Sequence, residues 1–299
     1  MVGALEGARI PVKKVIVVGS GGMLGHDLLT GFREYSVTGL TRKQLDITDL
    51  ESTIGALSDA DVVINAAAYT AVDDAESNRE AAFAVNSTGA RNVAIASRHA
   101  GASLFHVSTD YVFDGRSSVP YSEDSRPNPT TVYGESKLAG ERAVVEEHGD
   151  NSVILRTSWL YGFNGHSFPR TILQAGLQRE TLDVVDDQWG QPTWTQDVVA
   201  MLEHLVDRGV PTGVFHGTNA GQTTWHHFAQ ALFVLAGWDP ERVKPTSSEA
   251  FSRPASRPSW SVLGHTAWEN HGIPSPREWQ TALQEAWKAG LSRYADPAS

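Results

Sequence analysis

The chain predicts an α/β fold: a Rossmann-type, doubly wound parallel sheet with a smaller C-terminal substrate-binding lobe. Three observations predict it. A β-branched run ends in a glycine turn and passes into helical spacing, "KKVIVVGSGGMLGHDLLTGF"; further apolar runs alternate with helical stretches; and that rhythm loosens after about Gly162. Strands alternating with helices imply right-handed βαβ units, hence a parallel sheet covered on both faces.

The elements follow in order. After the opening strand, "YSVTGL" reads as the second, and residues 59–69, 102–113 and 151–162 as the next three. "DVVINAAA" is apolar almost throughout, as a strand buried on both sides should be. Residues 77–101 and 136–149 carry helical spacing between them. Beyond Gly162, residues 182–206 read as a short strand, a turn with Pro192 and a helix, and 223–237 as a further helix. Prolines, serines and single aromatics from Pro240 to Pro276 predict irregular surface structure. The resulting division is a tail (1–13), a dinucleotide-binding domain (14–160, with 193–217 returning to it) and a substrate-binding lobe (161–192 and 218–299).

Composition narrows the function. The chain has 299 residues, enough for a substantial core. Its formal net charge of −11 argues against a nucleic-acid partner. There are no cysteines, which removes disulfides and thiolate metal sites. No apolar run approaches the ~20 residues of a membrane span, and the N-terminus lacks a signal peptide's apolar segment. A cytoplasmic protein without a membrane partner is expected.

In "VVGSGGMLG" the glycines Gly19, Gly22 and Gly25 form G-x-x-G-x-x-G; Leu24 stands where the last glycine of G-x-G-x-x-G would fall. A glycine after a strand permits a tight turn, a second lets the backbone approach a pyrophosphate, and a third lets the helix pack closely. The helix start, Met23 and Leu24, offers free N–H groups to a diphosphate. A ligand-free glycine connection is the bland alternative, and strand before with helix after favours binding. NAD-specific folds place an acid at the end of the second strand; here stand Thr41, Arg42 and Lys43. Two cations there favour a 2′-phosphate, hence NADPH, with NADH the alternative if they are only solvated loop residues. Asp46, followed by Ile47, falls late for the ribose and is placed near the adenine.

"TTVYGESKLAGE" puts Tyr133 and Lys137 at i and i+4, one helix face. A free phenol titrates near pH 10, and a neighbouring ammonium favours phenolate. "VSTDY" ends a predicted strand, so Ser108 and Thr109 present hydroxyls where ligands of parallel sheets collect. Taken alone, such a pair is more often a packed aromatic with a solvated lysine. Behind a phosphate turn it reads as a proton relay, with Gly134 leaving room for cofactor or substrate and Gly140 allowing close helix packing.

These motifs resemble the extended short-chain dehydrogenase/reductase superfamily. The blocks "DVVINAAAYTAVDDAE", "VNSTGARNVA", "HVSTDYVFDG", "YGESKLAGE", "LRTSWLYG" and "VVDDQWGQPT" are similar, within it, to the dTDP-4-dehydrorhamnose reductases, from about Lys14 to Val199. Beyond Gly221 the likeness thins: "SRPSWSVL" resembles an Arg-Pro…Ser-x-Leu segment, with Gly264 where a polar residue often follows. The resemblance implies NADPH-dependent reduction of the C4 keto group of dTDP-4-dehydro-L-rhamnose, a dTDP-sugar, to dTDP-L-rhamnose. It implies Tyr133 as proton donor, Lys137 as the holder of the nicotinamide ribose and the depressor of the tyrosine pKa, and Thr109 as a donor to the same sugar oxygen, with Ser108 and Asp110 beside it. Ala66, Ala67, Tyr69 and Asn86 would form the cofactor site. Thr70, Val72, Trp159 and Arg257 would meet the substrate.

A related deoxysugar 4-ketoreductase of secondary metabolism is the near alternative. A non-catalytic NADP-binding regulatory subunit, like the β-subunit of methionine adenosyltransferase, is the distant one. A dehydratase would carry an acid pair beside the strand-end threonine, and here Asp110 is followed by Tyr111. No metal is expected: Asp73–Asp74 and Asp186–Asp187 read as solvated or capping carboxylates. Homodimerisation is left open.

Overall fold

A computed structural model describes residues 13–210 and 212–296; the expected tail lies outside these residues except for Lys13. The first unit is β1 (Lys14–Val18), α1 (Met23–Gly31), β2 (Ser36–Leu40), α2 (Leu50–Leu57) and β3 (Val62–Asn65). Short helices α3 (Val72–Ala75) and α4 (Arg79–Phe83) lead through a π-helical turn (Ala84–Gly89) into α5 (Ala90–Ala100), β4 (Ser103–Thr109), α6 (Val132–His148) and β5 (Ser152–Thr157). The long helical stretch expected over 77–101 is therefore three pieces, and the π-turn carries Asn86.

The chain then runs through β6 (Leu160–Tyr161), α7 (Phe168–Gln178), β7 (Leu182–Val185), β8 (Trp189–Gly190), β9 (Thr193–Trp194), α8 (Thr195–Asp207) and β10 (Gly213–His216). It closes with β11 (Thr223–Thr224), α9 (Trp225–Leu235), β12 (Val243–Thr246), α10 (Thr266–Asn270) and α11 (Trp279–Ala289).

The central sheet is parallel, in the order β10-β5-β4-β3-β1-β2. From β1 the chain moves first to one side, to β2, and then to the other, to β3. That reversal opens a crevice at the strands' carboxyl ends, where ligands of such folds bind. Val15, Val17 and Ile64 pack one face against α1 and α8; Ile16, Val18 and Val63 pack the other against α2, α5 and α6. This two-sided burial explains the unbroken apolar runs. A separate core joins α7, α9 and α11 around Phe228, Phe233 and Trp279.

One strand adds to the expected set, and one expectation needs correction. The sixth strand, β10, had no sequence signal of its own, because "GVFH" is four residues long and bounded by glycine. Residues 240–276 are not an irregular surface stretch. Within them β12 pairs with β7, Ser261, Val262 and Leu263 are buried, and Trp268 packs edge-on against Phe215 of β10. Proline hid this, because β12 lies at the edge of a two-stranded sheet, where a missing N–H is tolerated.

Candidate active site

The glycine turn is shaped by two close approaches. Gly19 takes φ 84°, and a Cβ there would lie 2.5 Å from the Ala67 backbone nitrogen. A Cβ on Gly25 would overlap the Gly19 carbonyl and sit 2.7 Å from Ser20 Cα. Gly22 differs: a Cβ would meet only the Gly19 carbonyl oxygen at 3.5 Å, so the protein alone does not require glycine there. Its missing side chain keeps the space in front of α1 open to a ligand. Helices α2, α6 and α9 are capped by Asp49, Thr131 and Thr224, but α1 has no side-chain cap. Its first N–H groups therefore face the cleft with the positive end of the helix dipole.

That cleft has a volume of about 1180 Å³. Gly19, Gly22, Met23, Leu24 and Gly25 line one wall, and exposed Arg42 and Lys43, with Asp46 and Ile47, line its outer end. Ala66, Ala67, Tyr69 and Thr70, following β3, form the floor. Ser108, Thr109 and Asp110 from the end of β4, Tyr133 and Lys137 from α6, and Trp159 complete it. The lining is thus continuous from the phosphate turn to the tyrosine, and it suits an extended dinucleotide with a second ligand beside it.

Helix α6 is started by Thr131, whose Oγ1 accepts from Gly134 N (3.1 Å). Such a cap is worth ~1 kcal/mol, and it sets Tyr133 in the first turn. A stripe at i, i+4 and i+8 then carries Tyr133, Lys137 and Glu141, all buried. Burial pushes the Tyr133 phenol up to about 12, with Thr109 acting to lower it and Asp110 to raise it. Burial pulls the Lys137 ammonium down to about 8, against the pull of Glu141. Lys137 Nζ donates to the Val107 carbonyl at 2.7 Å. The expectation that lysine depresses the tyrosine is therefore not met in this structure: desolvation decides the phenol's pKa. Asp110 is itself pushed up to about 6 by burial, so near neutrality its charge adds to the effect.

Several predicted residues do other work. Ser108 lines the cleft, but its Oγ donates to Glu141 Oε1 (2.6 Å), and Glu141 takes Arg156 in two bonds of 2.8 and 2.9 Å. Asn86 does not line the cleft. Its Oδ1 accepts from Tyr69 N (2.8 Å), and its Nδ2 donates to Tyr69 O (3.1 Å) and Ser136 Oγ (2.9 Å). It ties the loop after β3 to α6. Val72 packs into the apolar cluster around Tyr133. Arg257 pairs with Asp73 through bonds of 2.7 and 2.9 Å. Asp73 is thus a partly exposed ion-pair partner, and Asp74 accepts from the Tyr69 hydroxyl. Gly134 leaves room not for a ligand but for the Tyr111 carbonyl and Pro129, which a Cβ would meet; Gly140 meets the Asn86 carbonyl, a close packing contact.

Sequence reasoning missed Glu141 and Arg156, and also Thr157, Ser158, Leu160, Gly165 and His166, which line the cleft at and beyond the end of β5. Only Glu141 had a signal, its place four residues after Lys137. Trp159 is where it was expected, but its conformation is unusual. It is a non-glycine residue at φ 45°, stacked on Trp225 with ring centroids 3.5 Å apart, and its indole lies so close to Gly190 that a Cβ there would overlap it. Strain of ~1–3 kcal/mol persists only where packing over-determines it.

The whole architecture matches a known family. The model of the RmlD substrate binding domain matches residues 13–291. The chain belongs to this family. A dTDP-4-dehydrorhamnose reductase of Streptomyces griseus is 45% identical over 96% of this chain and 97% of its own. A dTDP-4-keto-6-deoxy-D-glucose reductase of Streptomyces niveus is also 45% identical, over 91% of this chain and 96% of its own. Among solved structures, the dTDP-4-dehydrorhamnose reductase of Bacillus anthracis, crystallised with NADP, superposes with a TM-score of 0.89 at 37% identity, covering 93% of this chain and 99% of that one. Like these relatives, members of the family are oxidoreductases, and this chain is one by membership.

Proposed function

We propose that the protein reduces the C4 keto group of dTDP-4-dehydro-L-rhamnose to give dTDP-L-rhamnose, using NADPH. The observation that carries the proposal is one cleft that holds Thr109, Tyr133 and Lys137 at the far end of an uncapped, glycine-lined helix start. Arg42 and Lys43 at the outer end suit the extra phosphate of NADPH. When bound, the nicotinamide supplies hydride. Tyr133, neutral at physiological pH because burial holds its phenol near 12, donates the proton that the sugar oxygen takes up. Thr109 orients that oxygen. Lys137, inside the cleft wall, holds the cofactor ribose and offsets the phenolate that forms. Residues 14–160 with 193–217 serve the cofactor, and 161–192 with 218–296, carrying Trp225 behind Trp159, serve the sugar.

A second reading is favoured by equal 45% identity to a reductase of dTDP-4-keto-6-deoxy-D-glucose. Supplying each 4-keto sugar nucleotide with NADPH and identifying the products by NMR separates the two. The expected outcome is dTDP-L-rhamnose, with kcat/KM for its precursor at least about tenfold higher, which is ~1.4 kcal/mol of discrimination. A preference for the glucose-derived ketone would replace the first reading by the second.

A further inference from the structure

Outside the cleft, three side chains converge where β7 ends and α9 begins. Asp186 follows β7, and His226 and His227 lie in the first turn of α9. Each imidazole has its Nδ1 3.6 Å from the same carboxylate oxygen, Asp186 Oδ1. One donor atom from each of the three lies within 4.8 Å of the other two.

A carboxylate at a helix N-terminus has a ready explanation. It favours the helix dipole, and Asp186 accepts from the capping Thr224 hydroxyl at 2.6 Å. That explanation leaves His226 unaccounted for. The residue is 6% exposed, and its Nε2 lies 3.1 Å from the Val243 carbonyl. A carbonyl only accepts, so Nε2 carries a proton, and in the neutral imidazole Nδ1 then keeps a bare lone pair. That Nδ1 is buried with no hydrogen-bond partner, and it faces Asp186. Two acceptors, a lone pair and a carboxylate, do not attract each other, and a buried acceptor without a partner is destabilising. A cation between them removes both penalties.

We propose that Asp186, His226 and His227 bind a divalent transition metal of the zinc class. Two imidazoles and a carboxylate are the donor set of zinc and its neighbours, not of magnesium or calcium, which take oxygen ligands. Metal–ligand bonds of ~2.0–2.2 Å in a tetrahedron set the donors roughly 3.3–3.6 Å apart, the spacing observed between each histidine and the aspartate. The Val243 carbonyl fixes the tautomer of His226, as outer partners of ligating histidines do. His227 is half exposed and gives the ion its entry. Its Nδ1 lies 2.9 Å from Thr224 Oγ1, whose proton goes to Asp186, so Nδ1 donates to Thr224 and gives that proton up to solvent on binding, while Thr224 keeps its bond to Asp186. A fourth position is left for water. The ion would rivet the loop after β7 to α9, one residue from Trp225, the ring that backs Trp159 in the cleft wall.

The test uses the full chain, freed of metal by dialysis against a chelator. Zn²⁺ is titrated by calorimetry and Co²⁺ by its visible absorption, and thermal unfolding is followed with Zn²⁺ or Mg²⁺. Expected are one bound Zn²⁺ per chain, a tetrahedral Co²⁺ spectrum and a rise in Tm with Zn²⁺ but not Mg²⁺. His227→Gln, on an exposed side chain, should weaken Zn²⁺ more than about tenfold and abolish the Tm rise, while the metal-free Tm stays at the wild-type value. Absence of one-to-one binding in the wild type, or unchanged binding in His227→Gln, overturns the proposal.

Discussion

Tyr133 and Lys137 stand on one stripe of α6, and burial, which disfavours the charged form of each, drives their pKa values in opposite directions. The phenol is kept neutral and the ammonium is destabilised. For a reductase this is the useful combination at neutral pH: a proton held ready on oxygen beside a cation that favours its release only when hydride arrives. Tyr133→Phe should lower kcat by at least about 100-fold, the usual scale of general-acid catalysis, with NADPH affinity, followed by fluorescence titration, within twofold of wild type by our estimate. Unchanged turnover would end the proton-donor assignment. Lys137 carries a stability cost as well. Its pKa falls from 10.5 to about 8 on folding, on the order of 3 kcal/mol. Between those values the unfolded chain holds a proton that the folded chain has shed, so stability rises with pH across that window, and the full cost is borne below pH 8. Lys137→Met should therefore raise Tm at pH 7 by a few degrees while abolishing turnover, and should flatten the rise in stability above pH 8. A lower Tm for the variant would mean that the bond to Val107 outweighs desolvation.

At the scale of elements, the π-helical turn between α4 and α5 matters most. A regular helix over 77–101 would rotate Asn86 away; the extra residue per turn aims its amide at both polar groups of Tyr69 and at Ser136 of α6. Helical spacing in the sequence registered the helix and not the bulge, because one inserted residue barely disturbs a period of 3.6. Asn86→Ala should leave the Tyr69 N–H and its carbonyl without these partners, costing roughly 2–4 kcal/mol by denaturant unfolding. It should also weaken NADPH several-fold, since the loop after β3 forms the cleft floor. Unaltered NADPH affinity in a destabilised variant would make Asn86 structural only.

Across the whole molecule, Arg257 and Asp73 join the C-terminal segment to α3 beside the tyrosine cluster. Arg257 donates to both carboxylate oxygens, the Ala255 N–H adds a bond at 3.2 Å, and Arg253 stands 3.9 Å away. Despite the desolvation cost of their burial, these partners hold the Asp73 carboxyl below the usual range. The pair is partly exposed, so its worth to stability is small; because it ties residues 255 and 257 to α3, its loss is expected to show on the proposed sugar side. Asp73→Asn should raise KM for the sugar nucleotide about three- to tenfold, with Tm nearly unchanged. Equal effects on the two substrates' KM values would show that the clamp does not act on the sugar side.

The strand, glycine turn and helix from Lys14 to Gly31, the strand-end Ser108–Thr109 and the Tyr133–Lys137 spacing were legible in the sequence because each is a local pattern. Backbone period, turn chemistry and an i, i+4 interval lie within a few residues of one another. What only the tertiary structure decided is every pairing of distant residues. The resemblance assigns Asn86 to the cofactor site, Ser108 to a place beside the reacting oxygen and Arg257 to the substrate, yet each spends polar groups on Tyr69, Glu141 and Asp73 respectively. Burial also set the direction of the Tyr133 pKa, which no spacing encodes. Asp186 and the His226–His227 pair, forty residues apart, meet only because β7 and α9 pack together. A folded chain must satisfy its buried polar groups wherever the partners happen to come from. The sequence alone therefore determined the chemistry available, and packing determined which groups were free to use it.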